Sequence, residues 1–374
     1  MNSAADIVII GGGVMGSSIA FNLRQDGFTG RVLIIERDPS YQFSSSALAM
    51  GGVRQQFMSR VNIEMVRYSI KRLAEIPECA FRQRGYLFLA NESNWEKLKR
   101  RHKVQTSLGG RCELVTVANI RQMEPELRCD DLVGGLFGPE DGFVDARGTL
   151  RAFRKKAEES GAMYSSDEVI KIEPGAVETA KAGRIPADRI VIAAGAYSTP
   201  LGVLAGIDIP ITPVRQQLFR CELPRPWAYE FPMTVDPGGV HWRGDFNNEI
   251  VIAKTKLDEP PGVRFGCEID RYYEDFLPDL VRRLPEFRDL KLVFGWGGLY
   301  EMTADHNPIL DRHPEKEWLY IAGGFSGHGL MMSAAVGKLM SELIRTGRFE
   351  TVDASALNYS RFAKNELFRD EAMI

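Results

Sequence analysis

Six residues, GGGVMG at 11–16, leave this chain little freedom in how it begins. They follow the apolar run DIVII (6–10), precede a stretch with helical spacing of apolar residues to about Leu23, and lead to a second strand-like run, RVLIIE (31–36). Strand, glycine turn, helix and strand within about 30 residues make a parallel unit. In it Gly11 permits the tight turn, Gly13 lets the main chain approach a pyrophosphate, and Gly16 lets the helix pack closely on the strand. The helix start at Val14 and Met15 then stabilises negative charge. Glu36 ends the second strand 20 residues after Gly16, followed by Arg37, and a carboxylate there accepts hydrogen bonds from a ribose 2′-OH while opposing a 2′-phosphate. NADP is thereby disfavoured, and this unit alone leaves NAD and FAD open.

The rest of the chain alternates between this pattern and a different one. VNIEMVRYSIKRLAEI (61–76), NWEKLKRRHKVQTSL (94–108) and DARGTLRAFRKKAEESGA (145–162) have helical periodicity, and GYLFLAN (85–91) reads as a strand. RIVIAAGAY (189–197) is a nearly continuous apolar strand entering a glycine turn, as a buried parallel strand does. From about 213 to 290 proline, aromatics and short alternating stretches such as EIVIAKTKL (249–257) point to an antiparallel sheet. WLYIAGGF (318–325), SGHG and LMMSAAVGKLMSELIRTG (330–347) return to strand, turn and helix.

The expected fold is therefore α/β plus antiparallel β, a discontinuous Rossmann-like nucleotide domain with an inserted α+β substrate domain. The segments are 1–84, 145–212 and 291–374 for the first, and 85–144 and 213–290 for the second. A net charge of −3 on 374 residues gives no global reason to expect nucleic acid or an anionic membrane as a partner. The five scattered cysteines form no CxxC pair, which fits neither a disulfide framework nor a zinc site, so no metal is expected and a reducing cytoplasm is. Glycines break the first apolar run, so it does not read as a secretory signal, and no stretch is long enough to span a membrane.

DIVIIGGGVMGSSIAFNLRQDG, GFVDARGTLRAF, RIVIAAGAYS, GWGGLYEMTADHNPIL and IAGGFSGHGLMMSAAVGKLMSELI, in that order, resemble the D-amino-acid oxidase, glycine oxidase and sarcosine oxidase superfamily of FAD enzymes. Within it, SSSALAMGGVRQQF (44–57) is most similar to FAD-dependent oxidoreductase-domain proteins grouped with sarcosine and dimethylglycine dehydrogenases and iminodiacetate oxidases. The resemblance implies an extended FAD with its adenosine end at Gly11–Gly16, Glu36 and Arg37. Val169, Ala194 and Gly195 are further contacts on that path. Its ring would lie near Ser45, Ser46, Gly51, Gly52 and Gly298, and near Gly324, Gly327, His328, Gly329 and Leu330, where a helix start favours charge on the reduced ring. His328 is either a flavin contact or a residue tying the turn together. FAD is expected to be held non-covalently, because no cysteine precedes YEMTAD and Leu48 stands where dimethylglycine-type enzymes have a linking histidine.

The implied chemistry is oxidation of a C–N bond by hydride transfer to flavin N5, with the imine then hydrolysed, and with O2 or another acceptor taking the electrons. A secondary or N-substituted amino acid such as sarcosine, dimethylglycine or iminodiacetate is the leading substrate class. A D-amino-acid or 2-hydroxy-acid oxidase, or a non-catalytic flavoprotein subunit or assembly factor, is the alternative. The site then needs a carboxylate anchor, for which arginine's planar fork is suited. Relatives' anchors are replaced here by Tyr300, Phe57 and Met331, which leaves Arg54, Arg243 and Arg215 as candidates. Arg54 follows the glycine pair, Arg243 lies beside His241 on a strand facing the flavin, and Arg215 reads as structural. Tyr300 either donates to the carboxylate or packs, and of Gln55 and Gln56 at most one faces the ligand. The oxygen-activating lysine of related oxidases is matched by Val251 or Ile252, with Lys254 displaced.

Overall fold

The computed structural model describes residues 4–227, 230–245, 248–254, 258–368 and 370. The amino-terminal unit is β1 (Ala5–Ile10), α1 (Val14–Gln25) and β2 (Val32–Glu36). β1 is interior to its sheet: Ile10 is in register with Ile35 of β2 on one side and Ile192 of strand Gly183–Ile192 on the other, all parallel. Strands Met163–Ser166 and Leu319–Gly323 extend the sheet outward in parallel, and Ile309–Arg312 closes one edge antiparallel. Near-continuous apolar runs are what a sheet covered on both faces requires. Helix α1 packs against Ala146–Glu159 and Gly329–Thr346. The second crossing is close: a Cβ on Gly337 would stand 2.1 Å from Ser18 Oγ, which instead donates to the Ser333 carbonyl at 2.8 Å.

The second sheet has eight strands and is antiparallel except where Met233–Val235 runs parallel to Tyr86–Asn91. Its long pair is Thr212–Glu222 with Lys291–Met302. The sequence grouped 291–374 with the nucleotide segments, whereas Lys291–Met302 is hydrogen-bonded into the antiparallel sheet and the chain crosses to the first sheet only after it. The strand read at 249–257 is seen as Glu249–Lys254; residues 255–257 lie outside the described ones. Between the sheets, the pair Gly52–Val53 and Gly142–Phe143 ties the GGVRQQF stretch to the second sheet's edge loops. No helix among the described residues is long and apolar enough to cross a membrane.

Candidate active site

The glycine turn opens at the carboxyl ends of β1, β2 and Gly183–Ile192, where open parallel sheets form their crevice. Gly11 has φ +103°, and its Cβ would stand 2.5 Å from the Ala193 carbonyl oxygen; a Cβ on Gly16 would stand 2.0 Å from the Gly11 carbonyl. These two glycines close the turn on itself. Gly13 differs, since the nearest atom to its missing Cβ is Ser46 Oγ at 3.4 Å and the space beyond belongs to a cavity of about 780 Å³. Glu36 stands in that cavity with its carboxylate fixed, accepting from the Gly12 and Asp38 N–H groups at 2.8 Å each. Arg37 lies 3.7 Å over the Tyr197 ring, and Val169, Ala194 and Gly195 complete the wall.

A second, tighter chamber of about 130 Å³ continues from the first, sharing Val14, Met15, Ser45, Ser46 and Glu301 with it. Gly51, Gly52 and Gly298 form one side and Gly327, His328, Gly329 and Leu330 the other. The glycines are needed for backbone approach: a Cβ on Gly51, φ +91°, would stand 2.3 Å from the Val144 carbonyl, and one on Gly327, φ +90°, would stand 2.5 Å from the Tyr300 ring. The extended channel, its open space at Gly13 and its fixed acidic end at Glu36 fit an extended dinucleotide such as FAD.

Arg54 is the one cationic side chain lining this chamber among the described residues. It is 1% exposed, with Nη1 donating to the Gln56 carbonyl at 2.9 Å and Nη2 to His328 Nε2 at 3.2 Å. Its guanidinium lies 4.6 Å from the Phe57 ring and 5.9 Å from the Tyr86 ring. A guanidinium only donates, so His328 Nε2 is the acceptor and the neutral ring carries its proton on Nδ1. Burial first, and Arg54 second, hold His328 well below its ordinary pKa. Burial likewise lowers His241 to about 4, with its Nδ1 bonded to the Gly239 carbonyl. Burial pushes the Tyr300 hydroxyl up. Both histidines are thus neutral at neutral pH, and Arg54 supplies the positive charge.

The remaining expected positions fall as follows. Arg243 does not line this chamber. It shares a face of strand Val240–Gly244 with His241, but the loop 47–50 wedges between the two, and Arg243 Nε donates to the Met50 carbonyl at 2.6 Å. Its side chain faces a separate cavity. Gly16 packs against the turn, and Gly324 lies behind the chamber with its N–H donating to Glu301 at 2.8 Å. Neither Gln55 nor Gln56 faces the chamber: Gln55 accepts from Arg111 N–H, and Gln56 donates to the Tyr86 carbonyl and to Asp141. The chamber-facing residue of strand Glu249–Lys254 is Ala253 rather than Val251 or Ile252, while Lys254 pairs with Asp279 at 2.8 Å. Arg215 pairs with Glu259 and Glu268, as a structural arginine does. Phe57 packs behind Arg54 and edge-on to His328, whereas Met331 lines the chamber.

Three residues went unread in the sequence. Tyr86 and Gln216 line the chamber from the second sheet. Glu301 lines both cavities, accepts from Gly324 N–H, and is raised by burial to about 7. No cysteine borders either cavity, and no group of three or more metal-ligating side chains occurs among the described residues.

The family model described as "DAO: FAD dependent oxidoreductase" matches residues 6–343. The FAD-dependent oxidoreductase domain-containing protein 1 of Bos taurus is 29% identical, over 99% of this chain and 87% of that protein. Its Drosophila melanogaster homolog is 32% identical, over 95% and 78%. The crystal structure of L-proline dehydrogenase from P. horikoshii superposes with a TM-score of 0.91 at 28% identity, covering 98% of this chain and 100% of that one.

Proposed function

This chain belongs to the DAO family of FAD dependent oxidoreductases, and on that premise we propose that it oxidises the C–N bond of a secondary or N-substituted amino acid bound by its carboxylate. When bound, FAD would supply the oxidant for this chemistry, taking both electrons as one hydride from the carbon next to nitrogen. The observation that carries the reading is the buried Arg54 guanidinium in a chamber whose two histidines are neutral. In low dielectric one permanent charge selects a carboxylate and orients it, while the neutral imidazoles place no competing charge near the amine. The Tyr300 hydroxyl, with its raised pKa, stays protonated and adds a neutral donor. A secondary amino acid is supported by the likeness to an L-proline dehydrogenase, proline being one.

FAD would be held without a covalent bond, with Gly13, Val14 and Met15 at the pyrophosphate and Glu36 at the adenosine end. Acid precipitation should release the flavin, and yellow colour retained in the pellet would overturn this. Ala253 in place of a lysine at the chamber supports an acceptor other than O2. Oxygen should therefore reoxidise the substrate-reduced protein much more slowly than a soluble dye does, as stopped-flow absorbance would register.

Anaerobic flavin bleaching with a panel of sarcosine, dimethylglycine, iminodiacetate, L-proline, D-alanine and lactate tests the activity. No bleaching by any amine would refute it, and bleaching by lactate alone would reassign it to 2-hydroxy acids. Arg54→Gln should keep its FAD and lose about 10- to 100-fold in substrate affinity, the worth of a charge-assisted pair. Loss of FAD with unchanged affinity in the residual holoprotein would assign Arg54 to loop ordering.

A further inference from the structure

We propose that the cavity of about 530 Å³ on the far side of loop 47–50 from the flavin chamber is a binding site for a small planar aromatic anion. The loop is a wall one main-chain layer thick. Leu48 lines both cavities; its carbonyl accepts from Trp296 Nε1 at 2.9 Å, and the Met50 carbonyl accepts from Arg243 Nε. Trp296 and Arg243 thus lock the wall from the side away from the flavin.

The lining has the two properties such a ligand needs. Among the described residues four arginines and three carboxylates border the cavity, with no lysine, so the charge of its lining is positive. Two of the arginines, Arg220 and Arg243, share Asp245 at 2.9 and 3.2 Å, and Arg220 also pairs with Glu249 at 3.7 Å. Among the described residues Arg220 Nε is buried and makes no hydrogen bond, its contact with Glu249 being an ion pair at 3.7 Å, and Arg147, exposed on the rim, forms no ion pair. Guanidinium donors therefore remain for an oxyanion. The other property is aromatic surface: Phe294 and Trp296 lie 5.2 Å apart with Arg220 5.2 Å over the Phe294 ring. Phe43 and Phe265, both in the lining, pack on each other at 4.6 Å, and Phe43 and Phe294 are each 46% exposed. Large apolar rings left open to solvent beside fixed guanidinium groups suit a ligand that stacks with its ring and pairs with its charge.

Calorimetric titration of the FAD-loaded protein with naphthalene-2-sulfonate, its neutral analogue 2-naphthalenemethanol, and methanesulfonate tests the assignment. The aromatic sulfonate should bind at least tenfold more tightly than either control. Arg147→Ala, on the surface, and Arg147→Ala/Arg220→Gln should weaken it progressively, by tenfold or more in the double variant, with FAD content unchanged. Arg54→Gln should bind it as the parent does. Absence of binding, equal binding of the neutral analogue, binding unaffected by the arginine substitutions, or binding lost in Arg54→Gln would each overturn the proposal, the last by placing the sulfonate in the flavin chamber. If the double variant fails to fold, Arg147→Ala alone decides, and unchanged affinity there counts against the site.

Discussion

Gly13 and Gly16 lie three residues apart and respond differently to an added methyl group. At Gly16 the Cβ would fall 2.0 Å from the Gly11 carbonyl, so Gly16→Ala should distort the turn, lowering the melting temperature of the flavin-free protein as well as its FAD affinity. At Gly13 the methyl would meet only Ser46 Oγ at 3.4 Å, so Gly13→Ala should leave the flavin-free protein as stable as the parent while weakening FAD binding. Thermal melting with and without FAD separates the two. The motif's spacing made both glycines legible in the sequence, because a turn is a local object. Glu301 was not, since its carboxyl is raised by a burial that only the assembled fold creates, against the lowering effect of its bond from the Gly324 N–H, 23 residues away.

Among elements, the GGVRQQF segment is held by a residue distant in sequence. Asp141, fully buried, accepts from the Gln55 N–H at 2.9 Å and from Gln56 Nε2 at 3.1 Å, and so sets the loop that presents Arg54. Asp141→Ala would leave these donors buried without that acceptor. It should cost about 1–3 kcal/mol in urea unfolding and weaken substrate binding although Arg54 is intact. Unaltered stability would show the loop to be held by other contacts. The same element shows what alternation leaves undecided: period two allowed at most one glutamine toward the ligand, and neither takes that place, because Gln56 is drawn to Asp141 and Gln55 to the main chain of Arg111. Arg243 was expected beside His241 facing the flavin, and it misses the chamber because loop 47–50 fills the space between.

For the whole molecule, buried titrating groups act on stability in opposite directions. His241, lowered to about 4 from its ordinary 6.5, binds its proton more weakly in the folded state, so its contribution is present above 6.5 and is lost as pH falls toward 4. Glu301, raised to about 7 from 4.5, binds its proton more tightly when folded. Its contribution is present below 4.5 and is lost as pH rises through 7. Asp141, raised by burial to about 7, acts in the same sense. Glu301→Gln should therefore melt higher relative to the parent at pH 8 than at pH 5, by roughly a few degrees. A melting difference independent of pH would show Glu301 to be ionised throughout.

What the sequence determined by itself was the nucleotide crevice and the order of the segments around it: the glycine turn, Glu36 at the strand end, the apolar parallel strands and the family resemblance. These rest on short-range periodicity and on backbone sterics, which a local stretch carries complete. Only the tertiary structure decided that Arg54 rather than Arg243 faces the chamber, that Tyr86 and Glu301 join it, and that a loop divides two cavities. Those outcomes depend on which side chains meet across sheets and on which loop occupies the space between them, and neither is encoded in the spacing of any one segment.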